Sequence, residues 1–245
     1  MSGRPAALGA LVMALALGGC ATVSNPNPAD PLESWNRGVY GFNDGLDRAV
    51  IKPVATAYRD VLPQPVRTGV TNFFNNLNDV WSAANQFLQG KVEPGLRMTM
   101  RVVVNTTFGL AGVLDQATEM RLERQSEDFG QTLGVWGVGP GPYLVLPLLG
   151  PSTVRDTAAL PLDFVGTSVT QVSGDTGFTF TAPILRIVNL RANLLGATSL
   201  MDQIALDPYT FLRDAYLARR RNQVYDGDPP PLPEEPAPGS SEPAR

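Results

Sequence analysis

A mainly α-helical domain is predicted by three observations. Apolar residues recur at three- and four-residue spacing in most segments between residues 31 and 225, helix start and stop signals bracket those segments, and both ends of the chain lack the makings of a core. Trp35, Val39, Phe42 and Leu46 share one face of a first helix. Pro65 suits the first position of a second, which carries the stripe Val66, Val70, Phe73, Phe74 and Leu77 opposite Arg67, Thr71, Asn72, Asn75 and Asn76. Asp79 is placed to cap a third, bearing Val80, Ala84, Phe87 and Leu88 and stopped by Gly90. From Pro94 to Phe108, Leu96, Met100, Val103 and Phe108 fall on one face and Arg97, Arg101 and Asn105 on the other. Pro183 is expected to begin a helix carrying Ile184, Ile187, Val188, Leu194 and Leu195. Asp207-Pro208 opens a last one, ending in Arg219-Arg220-Arg221, basic residues that suit its negative C-terminal dipole. Each apolar stripe fits either core packing or contact with lipid, and periodicity does not separate the two.

Composition narrows the chemistry. Hydrophobic residues make up 43% and charged ones 17%, below the roughly 25% usual in soluble domains. A net charge of −4 provides no basic field for nucleic acid. There is no histidine and one cysteine. Imidazole bases, Ser–His and Cys–His pairs, disulfides and thiolate zinc sites are therefore ruled out. Lys52 and Lys91 are the only lysines, and no SxxK or GxSxG pattern occurs. No residue is assigned a catalytic, metal-binding or cofactor role.

The N-terminus reads as an address. Arg4 precedes an apolar run from Ala6 to Leu17, short for a membrane span of about 20 residues but right for a signal peptide over residues 1–19. It ends Leu17-Gly18-Gly19-Cys20, which resembles the lipobox of bacterial lipoproteins and implies that Cys20 becomes the acylated first residue. Several acyl chains make a stable tether, since burial gains about 0.8 kcal/mol per CH₂ and a single chain holds only marginally. Ala21 rather than Asp after the cysteine, by the same resemblance, favours the outer membrane. Residues 20–30 form a spacer, and 226–245, with Pro229-Pro230-Pro231, Pro233, Pro236, Pro238 and Pro243, a disordered tail.

Two stretches break the helical pattern. Gly134–Pro142 holds four glycines and two prolines and leads into an apolar run to Gly150. It fits no dinucleotide fingerprint and carries no Walker lysine, so it is expected to form a tightly packed loop or hairpin beside an apolar path. Phe164–Thr181, rich in Thr, Val, Phe and Gly, is expected to hold a short hairpin around Gly174-Asp175.

The chain resembles the VacJ/MlaA family of outer-membrane lipoproteins. The matching residues are Asp30-Pro31-Leu32-Glu33, Trp35-Asn36-Arg37, Tyr58-Arg59-Asp60, Leu62-Pro63-Gln64-Pro65-Val66-Arg67 and Phe87-Leu88-Gln89-Gly90. Asn105-Thr106-Thr107-Phe108-Gly109, the Gly134–Gly150 loop with Arg155-Asp156, and Asp207-Pro208-Tyr209 with Arg213-Asp214-Ala215-Tyr216 extend the match over the domain 31–225. The resemblance implies a ring of amphipathic helices lying in the membrane interface, with a Gly/Pro-rich hairpin loop. Through its channel, phospholipids that have strayed into the outer leaflet would pass to a periplasmic carrier, beside a trimeric porin. Gly139 and Gly141 match the flexible glycines of the channel hairpin, and Arg155 and Asp156 are candidate polar groups of the channel. A scaffolding lipoprotein that binds a porin is the alternative.

Overall fold

The computed structural model describes residues 30–168 and 173–231; Cys20, the signal peptide and the tail beyond residue 231 lie outside the described residues. Helix α1 (Glu33–Leu46) continues through one π-turn (Asp47–Ile51) into α2 (Lys52–Val61). Pro53, in the first turn of α2, has no N–H to give to the preceding turn, and the wider π-turn absorbs that loss. Next come α3 (Gln64–Leu88), α4 (Val92–Thr107), and the short α5 (Gln116–Glu119) and α6 (Phe129–Val135). A hairpin of β1 (Tyr143–Leu146) and β2 (Gly150–Thr153) then leads through α7 (Val154–Gly166) and α8 (Thr176–Ile204) to α9 (Pro208–Val224).

The contacts close a circuit. The first helix packs on β1, α2 on α8, α8 on α3, α3 on α7, α7 on β2, and β2 on β1. The mainly helical ring implied by the family resemblance is this circuit. None of the described helices is long and apolar enough to cross a membrane.

The hairpin edge is closed by side chains instead of a third strand. Asn36 donates from Nδ2 to Tyr143 O (3.1 Å) and accepts at Oδ1 from Val145 N (2.7 Å). Two helical turns later, Asn43 donates to Leu146 O (2.9 Å) and accepts from Leu148 N (2.8 Å). Two asparagines thereby satisfy four backbone groups that an open edge would leave unpaired.

Several expected boundaries move. Asp79 caps no helix: α3 runs unbroken through it, and its carboxylate is buried against Arg101 (3.5 Å) and Arg124 (2.6 Å). A short polar side chain signals a cap only when the turn before it is not already helical. Pro183 does not start a helix but lies inside α8, because Asp175 caps the helix earlier by accepting from Phe178 N at 2.7 Å. The same cap removes the hairpin expected at Gly174-Asp175. Pro65 takes the second helical position, since Pro63 is the N-cap residue. The first residues of the expected tail form a turn in which Asp226 accepts from Lys91 Nζ at 2.6 Å.

Candidate functional site

The helices that flank the ring are turned inside out relative to a water-soluble bundle. In α4 Arg101 and Asn105 are buried beside Met98 and Val104, while Leu96, Met100 and Val103, with Phe108 just past the helix, are each more than half exposed. In α3, Asn76, Asp79, Ser82, Asn85 and Gln86 are buried while Val66, Val80, Phe87 and Leu88 lie open. Hydrogen bonds and ion pairs explain how the polar faces tolerate burial. Arg101 reaches Asp115 with one nitrogen at 3.0 and 3.1 Å, Thr118 Oγ1 at 3.1 Å and the carbonyl of Leu122. Asn105 donates to Asp115 (3.0 Å) and accepts from Ala117 N (2.8 Å). Among the described residues much of these apolar faces stays uncovered, which suits contact with an apolar phase.

A second buried junction ties the hairpin to α9. Asp128 accepts from two nitrogens of Arg220, at 2.6 and 2.8 Å, and caps α6 through Gln131 N at 2.8 Å. Asp156 accepts from Arg220 Nε (2.9 Å), from the Tyr216 hydroxyl (2.9 Å) and from Arg155 Nε (2.9 Å). Burial pushes the Asp156 carboxyl up, but the hydrogen bonds and charge of Arg220 outweigh it and hold the pKa below the ordinary value. Arg155 and Asp156 are therefore brought together, at the start of α7, where Thr153 accepts from Asp156 N.

Gly139 and Gly141 sit in the exposed connection between α6 and β1. The connection is pinned at two points, by Val154 N donating to Pro142 O and Arg155 N donating to Pro140 O, each at 3.1 Å. The two glycines differ. A Cβ on Gly139 meets nothing within 4 Å, whereas Gly141 has φ +66° and would set a Cβ 3.1 Å from Val154 Cβ. Gly139 borders a cavity of about 360 Å³ that also holds Val138, Arg155, Leu217, Arg220 and Val224.

Two larger cavities lie around Phe74. One, of about 520 Å³, is enclosed by α3, α7 and α8 and lined by Trp81, Asp163, Phe164, Thr179 and Arg186 among others. The other, of about 630 Å³, is an almost wholly apolar groove between α3 and α8, walled by Val66, Val70, Phe73, Phe178, Ala182 and Leu185. This arrangement can hold hydrocarbon beside a polar opening. Sequence reading passed over Asp128, Arg186 and Arg220. Arg220 carried a signal, being one of three arginines at a helix end, but its partners are 64 and 92 residues distant.

A family model for MlaA lipoprotein matches residues 28–223. The chain belongs to the MlaA lipoprotein family. Relatives include the intermembrane phospholipid transport system lipoprotein MlaA of Shigella flexneri, 37% identical over 84% of this chain and 85% of that one. The protein of the same description from Haemophilus influenzae is 34% identical, with 90% of each chain covered. A solved structure, from work on the structural basis for maintenance of bacterial outer membrane lipid asymmetry, superposes with a TM-score of 0.69. It is 36% identical, and the match covers 80% of this chain and 98% of that one. The family members so named are lipid-transport lipoproteins, and membership makes this chain a membrane-associated lipoprotein.

Proposed function

We propose that this protein, anchored through Cys20, lies in the periplasmic leaflet of the outer membrane and conducts mislocalised phospholipids out of the outer leaflet through its ring, delivering them to a periplasmic carrier. The observation that carries this reading is the inversion of α3 and α4. Large apolar side chains of both helices are exposed while Asp79, Arg101 and several amides are buried, as suits a protein set into hydrocarbon. The relatives named for intermembrane phospholipid transport support the substrate class.

On this reading no bond is made or broken, so binding and passage are the whole task. The apolar groove shields acyl chain while the polar wall faces the headgroup, and the connection holding Gly139 and Gly141 borders the way out. A trimeric porin is the proposed neighbour of the outward apolar faces. The test is to delete the gene, restore it from a plasmid, and measure phospholipid exposed at the cell surface. Surface phospholipid should rise on deletion and return to normal on restoration. An unchanged level would reject lipid removal and favour a scaffolding role on the porin.

A further inference from the structure

Arg186 stands apart from five other arginines that carboxylates hold. Arg220 is committed to Asp128 and Asp156, Arg191 to Asp47 at 2.7 Å, Arg155 to Asp156, and Arg101 and Arg124 to Asp79. Among the described residues, Arg186 has no carboxylate at ion-pair distance. Its guanidinium carbon lies 6.0 Å from the centroid of the Phe74 ring. Arg186 has accessible area, yet burial and then the charge of Arg124 lower its pKa. Both facts hold together for a side chain in the wall of an open cavity. Asp128 and Asp163 line the same cavity. Asp128 is neutralised by Arg220, and Asp163 Oδ1 accepts from Trp81 Nε1 (2.7 Å) and Phe129 N (2.8 Å). Arg186 is thus the one cation of this lining, and no carboxylate holds it at ion-pair distance among the described residues.

Position supplies the second part. Along α8, Phe178, Ala182 and Leu185 wall the apolar groove while Thr179, Pro183, Arg186 and Ile187 wall the cavity, and Phe74 lines both. A molecule that passes Phe74 would have a charged end on one side and hydrocarbon on the other. We propose that Arg186 is the phosphate contact of a single bound phospholipid whose acyl chain lies in the groove between α3 and α8. This rests on the lipid-passage reading and names the site within it. A guanidinium suits a phosphodiester because its planar fork donates two parallel hydrogen bonds to two oxygens.

The experiment measures uptake of dioleoyl phosphatidylglycerol and of dioleoylglycerol from detergent micelles by the full-length lipidated protein. The variants are Arg186→Gln, Arg186→Lys and Val66→Asp. Arg186 makes no ion pair to lose, and an acidic residue in the first turn of α3 suits the helix dipole, so the variants should melt like the native protein. Arg186→Gln should weaken phosphatidylglycerol uptake on the order of tenfold to a hundredfold and leave dioleoylglycerol unchanged. Arg186→Lys should keep part of the affinity, and Val66→Asp should weaken both lipids. Equal uptake of phosphatidylglycerol by native protein and Arg186→Gln overturns the inference while leaving the passage reading intact. Native protein that takes up neither lipid overturns both. Displacement of phosphatidylglycerol by millimolar inorganic phosphate would make the site one for free phosphate and overturn the lipid assignment.

Discussion

The α3–α4 pair and the junction of α1, the hairpin and α9 solve opposite problems. At the junction, Val39, Tyr143, Val145 and Tyr209 form an apolar core, with the Tyr143 ring 6.4 Å from Tyr209 and 6.1 Å from Tyr216. The pair Arg37–Asp207 (2.6 Å) lies on its outside, and one buried pair, Asp30–Arg213 (3.4 Å), lies within it. In α3–α4 the charges of Asp79 and Arg101 are within while Val80, Leu96, Met100 and Val103 lie open, although Glu93 and Arg97 pair on the outside. The first pattern is that of a protein facing water and the second that of one facing hydrocarbon, in a single closed circuit of helices.

The largest effect expected from this contrast comes from Arg101. Replacing it with Ala leaves Asp79 and Asp115 without their shared cation in a buried site, a change that typically costs about 3–5 kcal/mol. Arg37→Ala, at the water-facing junction, removes pairs that are some two-fifths exposed and should cost under about 1 kcal/mol. Chemical denaturation of the detergent-solubilised protein compares the two directly. Similar losses would erase the distinction between the regions.

A smaller effect should separate the outer faces. Val103, at 51% exposure, points away from the chain. If it meets lipid, Val103→Asp removes buried apolar area and sets a charge in the interface, weakening liposome binding of anchor-free protein by about 1–3 kcal/mol. The denaturation midpoint should stay where it was. Arg59→Asp, on an exposed polar position of α2, should leave partitioning unchanged. Flotation showing no loss for Val103→Asp would mean that the face meets water or protein.

What the sequence could tell about these regions follows from the same physics. The stripe Leu96, Met100, Val103 and Phe108 was legible as a helix face, because spacing depends on the helix alone. Which face points inward depends on the surrounding solvent, and the assignment of Arg97, Arg101 and Asn105 to the opposite side left that open. The lipobox at Cys20 and the family resemblance pointed to a bilayer, but neither says which helix face meets it. The cap at Asp207 was readable since its bond to Tyr209 N is local. Asn36 and Asn43 had a detectable signal in their seven-residue spacing, yet their partners on β1 lie more than 100 residues away. Arg186 was unreadable, as a cation is distinguished there by the partners it lacks.

The hairpin side sharpens the contrast through its two glycines. Gly141→Ala places a side chain at positive φ close to Val154, so stability should fall by about 1 kcal/mol. Gly139→Ala meets open space at an ordinary φ and should leave the melting temperature alone. Surface phospholipid measured for both variants at equal abundance then isolates mobility from strain. A rise with Gly139→Ala supports a loop that must move. No rise leaves Gly139 as an ordinary turn residue.

The smallest effect concerns Glu127, at the seam between α3 and the segment leading to α6. Burial pushes its carboxyl above the ordinary value, against the hydrogen bond from Gln89 Nε2 (2.9 Å) and the charge of Lys91, 3.7 Å away. A carboxyl whose folded pKa is raised is harder to ionise in the folded state than in the unfolded one. Its charge therefore begins to reduce stability as pH climbs through the unfolded value of 4.5, and the reduction is complete once pH exceeds the raised folded value. Glu127→Gln keeps the shape and the neutral form, so it should gain stability slightly at neutral pH and match the native protein near pH 4. The difference between the two denaturation midpoints, followed from pH 4 to pH 7, should open upward just above 4.5. A difference that is constant with pH would show that Glu127 keeps its ordinary pKa. A loss in Glu127→Gln that grows with pH would show that Lys91 and Gln89 outweigh burial, making this seam an ion-paired junction like that of Arg220.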